Sequence, residues 1–337
     1  MKLYYNPDYN LHFGFETSLE NKERLDSVIA KLNPTPLERG DFELKLQSNF
    51  KKYIKKLGER FSEKPMNCIH CTFPINSHVC DMCGLKSSRV VKFISDLEGE
   101  TSYMCDSSEK CITSLLTGIY GVIEGLRSTP LPQDRRAKLD LAIPSFNENI
   151  FILSRPPGHH CDNENPSGFC LVNNIAFATD VLLGLKVDRI CIIDWDVHHG
   201  NGTEKLFYDT DQVLFIDIHR ENFYPYTGKS IDTGSGKGKG YTMNFPLPKG
   251  SGEKEYLEAF VSFLPKVEEY KPEFILVSCG FDAHKNDPIG GMKLESESYG
   301  KFHTLLKKFN VPIVYFLEGG YDPKIIEDSV VCILEAD

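Results

Sequence analysis

The sequence predicts an α/β fold with a mainly parallel central sheet and helices on both faces. From Ile150 onward, short apolar runs of strand length alternate with longer segments of helical periodicity, as they do in sheets covered by helices. The run 189–194 contains Cys-Ile-Ile without a polar break, which is typical of a strand buried on both faces. Because ligands in such folds collect where the strands end, we expect the functional residues there.

The elements follow in chain order. Leu3 to Tyr5 form a short strand candidate, and leucine, valine and isoleucine on one stripe predict a helix over 18–32. A second helix is predicted over 113–126. Strands are then predicted at 151–154, 190–194, 213–219, 274–279 and 312–317. Three further helices are predicted: one that ends near 185, one that spans 253–270 and one near 297–309. The glycine-rich segment 228–240 lacks the residue order of a phosphate-binding loop, so we interpret it as a flexible surface loop.

Composition and net charge limit the classes of protein to which the chain can belong. With 337 residues and 41% hydrophobic content the chain can bury a large core, and α/β folds often use this length as one domain. The formal charge of −10 argues against a general nucleic-acid binder, whereas an acidic surface would attract a basic peptide. The sequence begins without a signal-peptide pattern and has no apolar run of membrane-spanning length. Together with scattered cysteines typical of reduced thiols, this predicts a cytosolic or nuclear protein.

Four of the 11 cysteines form two Cys-x-x-Cys pairs, Cys68 with Cys71 and Cys80 with Cys83. Two such pairs can supply four thiolates to one tetrahedral structural zinc ion, and the metal would stabilise a segment too short for its own core. We therefore predict a zinc knuckle over 65–89, inserted into the larger fold. Two alternatives stay open: ordinary thiols, or a site in which His70 or His78 replaces a cysteine.

Four of the predicted strands end in polar or titratable residues. These are His159-His160, the segment from Asp194 to His198, Asp282 and Tyr321. Strand alternation would point Asp194, Asp196 and His198 to one side and His199 to the other.

Asp196, His198 and Asp282 would form a three-ligand zinc site of mixed nitrogen and oxygen donors. Three protein ligands leave a position for water and substrate, which is the mark of a catalytic rather than a structural metal.

The other strand-end residues fit hydrolysis beside that metal. His159 and His160 offer general acid–base groups, and each needs an orienting acceptor, for which Asp194 and Asn201 are candidates. Tyr321, on a glycine hinge, is suited to donate a hydrogen bond to a developing oxyanion.

These motifs resemble the zinc-dependent histone deacetylases, a superfamily that includes the acetylpolyamine amidohydrolases and shares a three-layer α/β fold with arginase. The matching segments are Arg155-Pro-Pro-Gly-His-His, Gly168-Phe-Cys, Asp194-Trp-Asp-Val-His-His-Gly-Asn-Gly, Gly280-Phe-Asp-Ala-His and Glu318-Gly-Gly-Tyr. The resemblance is close from Ile150 to the C-terminus and looser before residue 130, and it implies one deacetylase domain over 1–337. Asn201 and the Glu-Gly-Gly-Tyr turn resemble the class II pattern.

The resemblance implies roles for individual residues. Zinc would be held by Asp196, His198 and Asp282, with His160 as general base and acid, His159 as its electrostatic partner backed by Asp194, and Tyr321 polarising the acetyl carbonyl. Gly168, Phe169 and Tyr224 would line the tunnel for the lysine methylenes. A structural potassium ion would bind the carboxylate of Asp194 and the carbonyls of Asp196 and His198.

The sequence departs from the family pattern at three places. Asp217 stands where the family usually has serine beside the potassium site. The rim aspartate that would hold the substrate backbone has no clear counterpart, and Glu100 or Thr101 falls nearest. The cysteine pairs are not a general family feature, and we hypothesise that they shape the tunnel mouth or dock a protein partner.

The resulting hypothesis is a deacetylase acting on acetyl-lysine in proteins such as histones, and thus a chromatin regulator. The alternative substrate is a small acetylpolyamine. Polyamine-selective relatives place an acid in the turn where this chain has Asp287-Pro-Ile289-Gly, so the apolar Ile289 favours acetyl-lysine. A catalytically silent scaffold using the knuckle, or an arginase-like hydrolase with a second metal, fits the residues less well.

Overall fold

The computed structural model describes most of the chain in atomic detail. The described residues are 1–6, 19–21, 23–37, 149–162 and 164–337, three helical positions at Leu116, Ile119 and Ile123, and the backbone of strands at 66–68, 90–95 and 102–105.

The described residues form an eight-stranded sheet in which every pairing is parallel, so the prediction of a mainly parallel sheet is confirmed. Its strands, in spatial order, are β2 (Thr35–Pro36), β1 (Lys2–Tyr5), β6 (Ile150–Leu153), β11 (Ile313–Leu317), β10 (Phe274–Cys279), β7 (Ile190–Asp194), β8 (Val213–Arg220) and β9 (Thr242–Leu247). A smaller antiparallel sheet, which the sequence did not predict, contains β3 (Met66–Cys68), β4 (Val90–Ser95) and β5 (Ser102–Cys105).

The central strands are buried along their whole length. Every residue of β6, β7, β10 and β11 is buried, so both faces of the sheet are covered, as continuous apolar runs predict. Just beyond β7, the fully buried Trp195 packs against Phe260, Phe302 and Tyr315. This aromatic cluster anchors the chain at Trp195, next to the polar residues that follow β7.

Six helices with described bounds accompany the sheet. They are α1 (Glu23–Leu32), α2 (Asn174–Gly184), α3 (Asn201–Phe207), α4 (Glu253–Tyr270), α5 (Ser296–Lys307) and α6 (Pro323–Ala336). The Asn173 side chain caps α2 by accepting from the Ala176 N–H, and Asp322 caps α6 with proline in its first turn. Helix α1 packs on α6, where Lys31 and Glu327 form an ion pair at 2.8 Å.

Several boundaries differ from the sequence predictions. Helix α1 begins at Glu23 rather than at residue 18, and residues 19–21 are bends. Elements β2, α3, α6 and β9 were not predicted, whereas α4 has the predicted bounds. Three positions of the helix predicted over 113–126 are described, namely Leu116, Ile119 and Ile123. All three are helical and buried, and their spacing places them on one face of a helix. The segment 228–240 is an irregular loop with one 3₁₀ turn.

The predicted zinc knuckle falls largely outside the described residues. Cys71, Cys80 and Cys83 lie there, as do Glu100 and Thr101, and for Cys68 only the backbone is described, at the end of β3. The knuckle therefore stays a prediction. Across the described parts of the chain, none of the helices combines the length and apolarity needed to span a membrane.

Candidate active site

The carboxyl ends of four neighbouring strands, β6, β11, β10 and β7, bring the predicted residues together. His159 and His160 follow β6, Asp196 and His198 follow β7, and Asp282 follows β10. Because these strands are parallel, the loops that follow them meet at one edge of the sheet.

Asp196, His198 and Asp282 form a buried metal-ligand cluster. One potential ligand atom from each lies within 4.8 Å of the others. Burial, followed by the charge of Asp196, raises the pKa of Asp282 to about 7. Burial lowers the pKa of His198, but the neighbouring carboxylates of Asp196 and Asp282 outweigh it and raise that pKa to about 9. Two buried carboxylates beside one imidazole form a place where a metal cation would be stabilised.

The donor set fits a divalent metal ion. Among the described residues, Asp282 Oδ2 is a buried atom without a hydrogen-bond partner, although His198 Nδ1 lies 3.2 Å away. A Cβ on Gly319 would lie 2.1 Å from that oxygen, and one on Gly280 would lie 2.2 Å from Asp196 Oδ2. Two glycines thus keep open the space beside the carboxylates, and the mixture of imidazole and carboxylate is suited to zinc.

Backbone donors fix the orientation of both carboxylates. The Gly319 N–H donates to Asp196 Oδ2 at 2.7 Å, and the Val197 N–H donates to Asp282 Oδ1 at 2.9 Å. These bonds join the loops after β11, β7 and β10, so the cluster is held by the fold even without a metal.

The adjacent imidazoles of His159 and His160 have different acceptors. His159 Nδ1 lies 3.0 Å from Asp194 Oδ2, and His160 Nδ1 lies 2.7 Å from Asn201 Oδ1. Carboxylate and amide oxygens only accept, so each Nδ1 carries a proton. Neutral His160 then has an unprotonated Nε2 that can act as a base.

The surroundings also shift the pKa values of the two histidines in opposite directions. Burial opposes the imidazolium of His159, but the charges of Asp194 and Asp196 prevail and raise its pKa well above the usual value. Burial and the neighbouring His159 and His198 lower the pKa of His160 well below it. The surroundings thus favour the charged form of His159 and the neutral form of His160.

Asp194 does not face the metal cluster as strand alternation had suggested. That prediction was wrong because β7 ends at Asp194 and the chain then bends, so alternation does not extend to Asp196 and His198. Asp194 Oδ1 accepts from the Asp196 N–H at 3.0 Å, and its other oxygen binds His159. His199 contacts Thr227 Oγ1 at 2.7 Å.

Asp217 lies beside Asp194 in register on β8, and both are fully buried. Burial and the charge of Asp217 raise the pKa of Asp194, while His159 lowers it. Both oxygens of Asp217 are engaged, Oδ2 by the Gly200 N–H at 2.8 Å and Oδ1 by His219 Nδ1 at 2.6 Å. The potassium ion at Asp194 stays a prediction.

Tyr321 is held by residues that the sequence motifs did not identify. The buried Arg24 donates to the carbonyls of Gly320 and Glu318 and lies 5.1 Å from the Tyr321 ring, and Asp287 Oδ2 accepts from the Tyr321 N–H at 3.0 Å. Burial and the charge of Asp282 raise the pKa of the Tyr321 hydroxyl, which keeps it protonated as a donor. Arg24 looked like an ordinary surface charge on an amphipathic helix, so no sequence signal pointed to it.

The predicted tunnel residues lie near either His160 or Tyr321. Gly168 and Phe169 have positive φ, and the Phe169 ring lies 6.0 Å from that of Tyr321. The Tyr224 ring lies 5.1 Å from His160, and its hydroxyl is 2.9 Å from Ser167 Oγ. Ile289 is half-buried, and its N–H donates to Asp287 Oδ1, so the turn that carries it is connected to the backbone of Tyr321.

Comparison with known proteins places this geometry in a family. A probable deacetylase of Archaeoglobus fulgidus is 43% identical over 180 residues, which cover 52% of this chain and 50% of that protein. The chain spans about half the length, or less, of the first curated relatives it matches.

Two solved structures share the fold. The HDA15 HD domain superposes with a TM-score of 0.76 at 24% identity, covering 99% of this chain and 87% of that one. An acetylpolyamine aminohydrolase from Burkholderia pseudomallei superposes with a TM-score of 0.75 at 22% identity, covering 100% and 98%. These likenesses confirm the arginase/deacetylase fold. The family model of the histone deacetylase domain matches residues 18–336, and the chain belongs to that family.

Proposed function

We propose that the chain is a zinc-dependent deacetylase that hydrolyses the acetyl amide of acetyl-lysine in polypeptides, including proteins such as histones. The observation that carries this proposal is the convergence of the buried Asp196–His198–Asp282 cluster with two adjacent histidines whose Nδ1 atoms contact different acceptors, Asp194 and Asn201. Deacetylase names among the relatives support the amide-hydrolysing chemistry.

Each of these residues would have a distinct role in hydrolysis. Asp196, His198 and Asp282 would hold zinc, which supplies Lewis acidity to polarise the carbonyl and acidify water. His160 would take the proton of the attacking water at Nε2 and deliver it to the departing lysine nitrogen. His159, kept cationic by Asp194, would stabilise negative charge as it develops, and the protonated Tyr321 hydroxyl would donate to the carbonyl oxygen.

The choice between acetyl-lysine and acetylpolyamine depends on the tunnel mouth. The half-buried Ile289 places an apolar side chain on the turn that Asp287 ties to Tyr321. An apolar residue there offers no carboxylate to a polyamine cation, which favours the acetyl-lysine substrate.

The test compares zinc-loaded protein on an acetyl-lysine peptide and on acetylspermidine. We expect a higher kcat/KM for the peptide, and we expect Ile289→Glu to shift the ratio toward the polyamine, because it adds an anion at the mouth. Preference of the wild-type chain for acetylspermidine would replace the acetyl-lysine proposal with a polyamine amidohydrolase. If neither compound were turned over, the scaffold interpretation would be favoured.

The cysteine pairs are proposed to hold a second, structural zinc ion and to present a protein-docking segment. What supports this is the pairing of Cys68 at the end of β3 with Val90 at the start of β4, because it brings together both ends of the segment that carries Cys71, Cys80 and Cys83. A Cys80→Ser/Cys83→Ser variant should lose this zinc without losing catalysis on a short peptide. Unchanged zinc content would rule the site out.

A further inference from the structure

A four-residue turn at 223–226 builds part of the wall of the active site. The Tyr226 N–H donates to the Phe223 carbonyl at 2.7 Å and closes the turn. Within it, the Phe223 ring stacks on His198 at 4.9 Å, and the Tyr224 ring lies 5.1 Å from His160. Two of the three aromatic rings in this turn therefore contact a metal-cluster residue and the proposed general base.

The third aromatic residue, Tyr226, is largely exposed. The residue is 77% exposed, although it adopts a φ of +64°, where a bulky residue is costly by about 1 kcal/mol. A tyrosine so exposed contributes little to folding that could offset this cost.

The backbone around Tyr226 is anchored on both sides. Before it, the Tyr224 hydroxyl lies 2.9 Å from Ser167 Oγ, and after it Thr227 Oγ1 lies 2.7 Å from His199 Nδ1. The turn also keeps the Cα atoms of Phe223 and Tyr226 within about 7 Å of each other. The backbone that carries the exposed ring is thus held next to residues that contact the active-site histidines.

We infer that Tyr226 is a substrate-contacting residue that binds the polypeptide on either side of the acetylated lysine, an inference that rests on the proposed function. A tyrosine offers rigid amphipathic contact area at a low entropy cost, and its ring face attracts lysine and arginine side chains. The net charge of −10 favours a basic polypeptide as the occupant. The specificity expected of this residue is therefore for acetylated segments flanked by basic residues.

The experiment uses Tyr226→Gly, which removes the ring and relieves the backbone, and Tyr226→Phe, which keeps the ring. Each is assayed on a blocked single acetyl-lysine, on an acetyl-lysine peptide with basic flanks and on one with neutral flanks. Asn222→Gly is the matched control, because Asn222 is exposed in the same loop at a φ of +53° but carries no aromatic ring.

We expect Tyr226→Gly to raise KM for the basic peptide about fivefold with kcat retained. It should leave the blocked acetyl-lysine unchanged and should not lower Tm. Tyr226→Phe and Asn222→Gly should resemble the wild-type chain on all three substrates, and the neutral peptide should lose less affinity than the basic one.

Two results would overturn the inference while leaving the proposed function intact. One is an unchanged KM of Tyr226→Gly for the basic peptide, and the other is an equal loss on peptide and blocked acetyl-lysine, which would indicate a role in shaping the site. If the wild-type chain turned over none of the three substrates, the proposed function would fail and this inference with it.

Discussion

Replacing Gly168 by alanine should disable His160 while leaving the metal-ligand cluster in place. A Cβ at Gly168 would lie 2.2 Å from Cδ2 and 2.8 Å from Cγ of the His160 imidazole. Carbon atoms in contact stay about 3.5 Å apart, so the ring would have to move by about 1 Å. Because a misplacement of this size costs about a hundredfold in rate, we expect kcat to fall by about that factor.

The matched control is Gly236→Ala. Gly168 and Gly236 have φ values of +49° and +52°, so alanine meets the same backbone penalty of about 1 kcal/mol at both, but a Cβ at Gly236 would meet nothing within 4 Å. The assay measures kcat on an acetyl-lysine peptide together with Tm and zinc content for both variants. If Gly168→Ala were as active as Gly236→Ala, the proposed dependence of catalysis on the position of His160 would be refuted.

Three further predictions concern other side chains. Tyr321→Phe removes the proposed oxyanion donor and should lower kcat by about 10²–10³-fold without loss of zinc, so near-normal kcat would exclude that role. Asn201→Asp would place a carboxylate 2.7 Å from His160 Nδ1 and raise the pKa of His160, so the acidic limb of the kcat/KM profile should move to higher pH; an unmoved limb would separate His160 from the proton transfer. Burial lowers the pKa of His303 from 6.5 to about 4, so the unfolded chain takes up this proton first as pH falls. The free energy of unfolding should therefore decrease by up to about 3 kcal/mol between those pH values, and urea titrations should show that His303→Gln lacks this part of the loss.

The sheet was predictable because its central strands are continuous apolar runs that fit no amphipathic helix. The elements that were missed have weaker signals. Pro246 made β9 look unlike a strand, yet β9 lies at the edge of the sheet, where proline is tolerated. Helix α3 is only seven residues long and begins inside the motif at Asn201. Helix α6 carries an Asp322 cap and a first-turn proline, signals of a helix start that the sequence analysis did not use.

The metal-ligand cluster was predictable because its residues follow strands directly, so topology alone brings them together. The supports of Tyr321 were not, because Arg24 is 297 residues away in sequence and acts through bonds to backbone carbonyls that carry no residue signature. Asp287 is similar: its sequence context marked the turn with Ile289, but its bond to the Tyr321 N–H appears only in three dimensions.

Zinc-dependent turnover of an acetyl-lysine peptide is the most direct test of the proposed active site. Wild-type protein stripped by a chelator should be inactive and should recover activity when zinc is returned. Asp282→Ala should bind about one zinc ion fewer per chain and stay inactive after zinc is added. Turnover by the metal-free protein, or equal zinc content in wild type and Asp282→Ala, would contradict a catalytic zinc ion held by Asp196, His198 and Asp282.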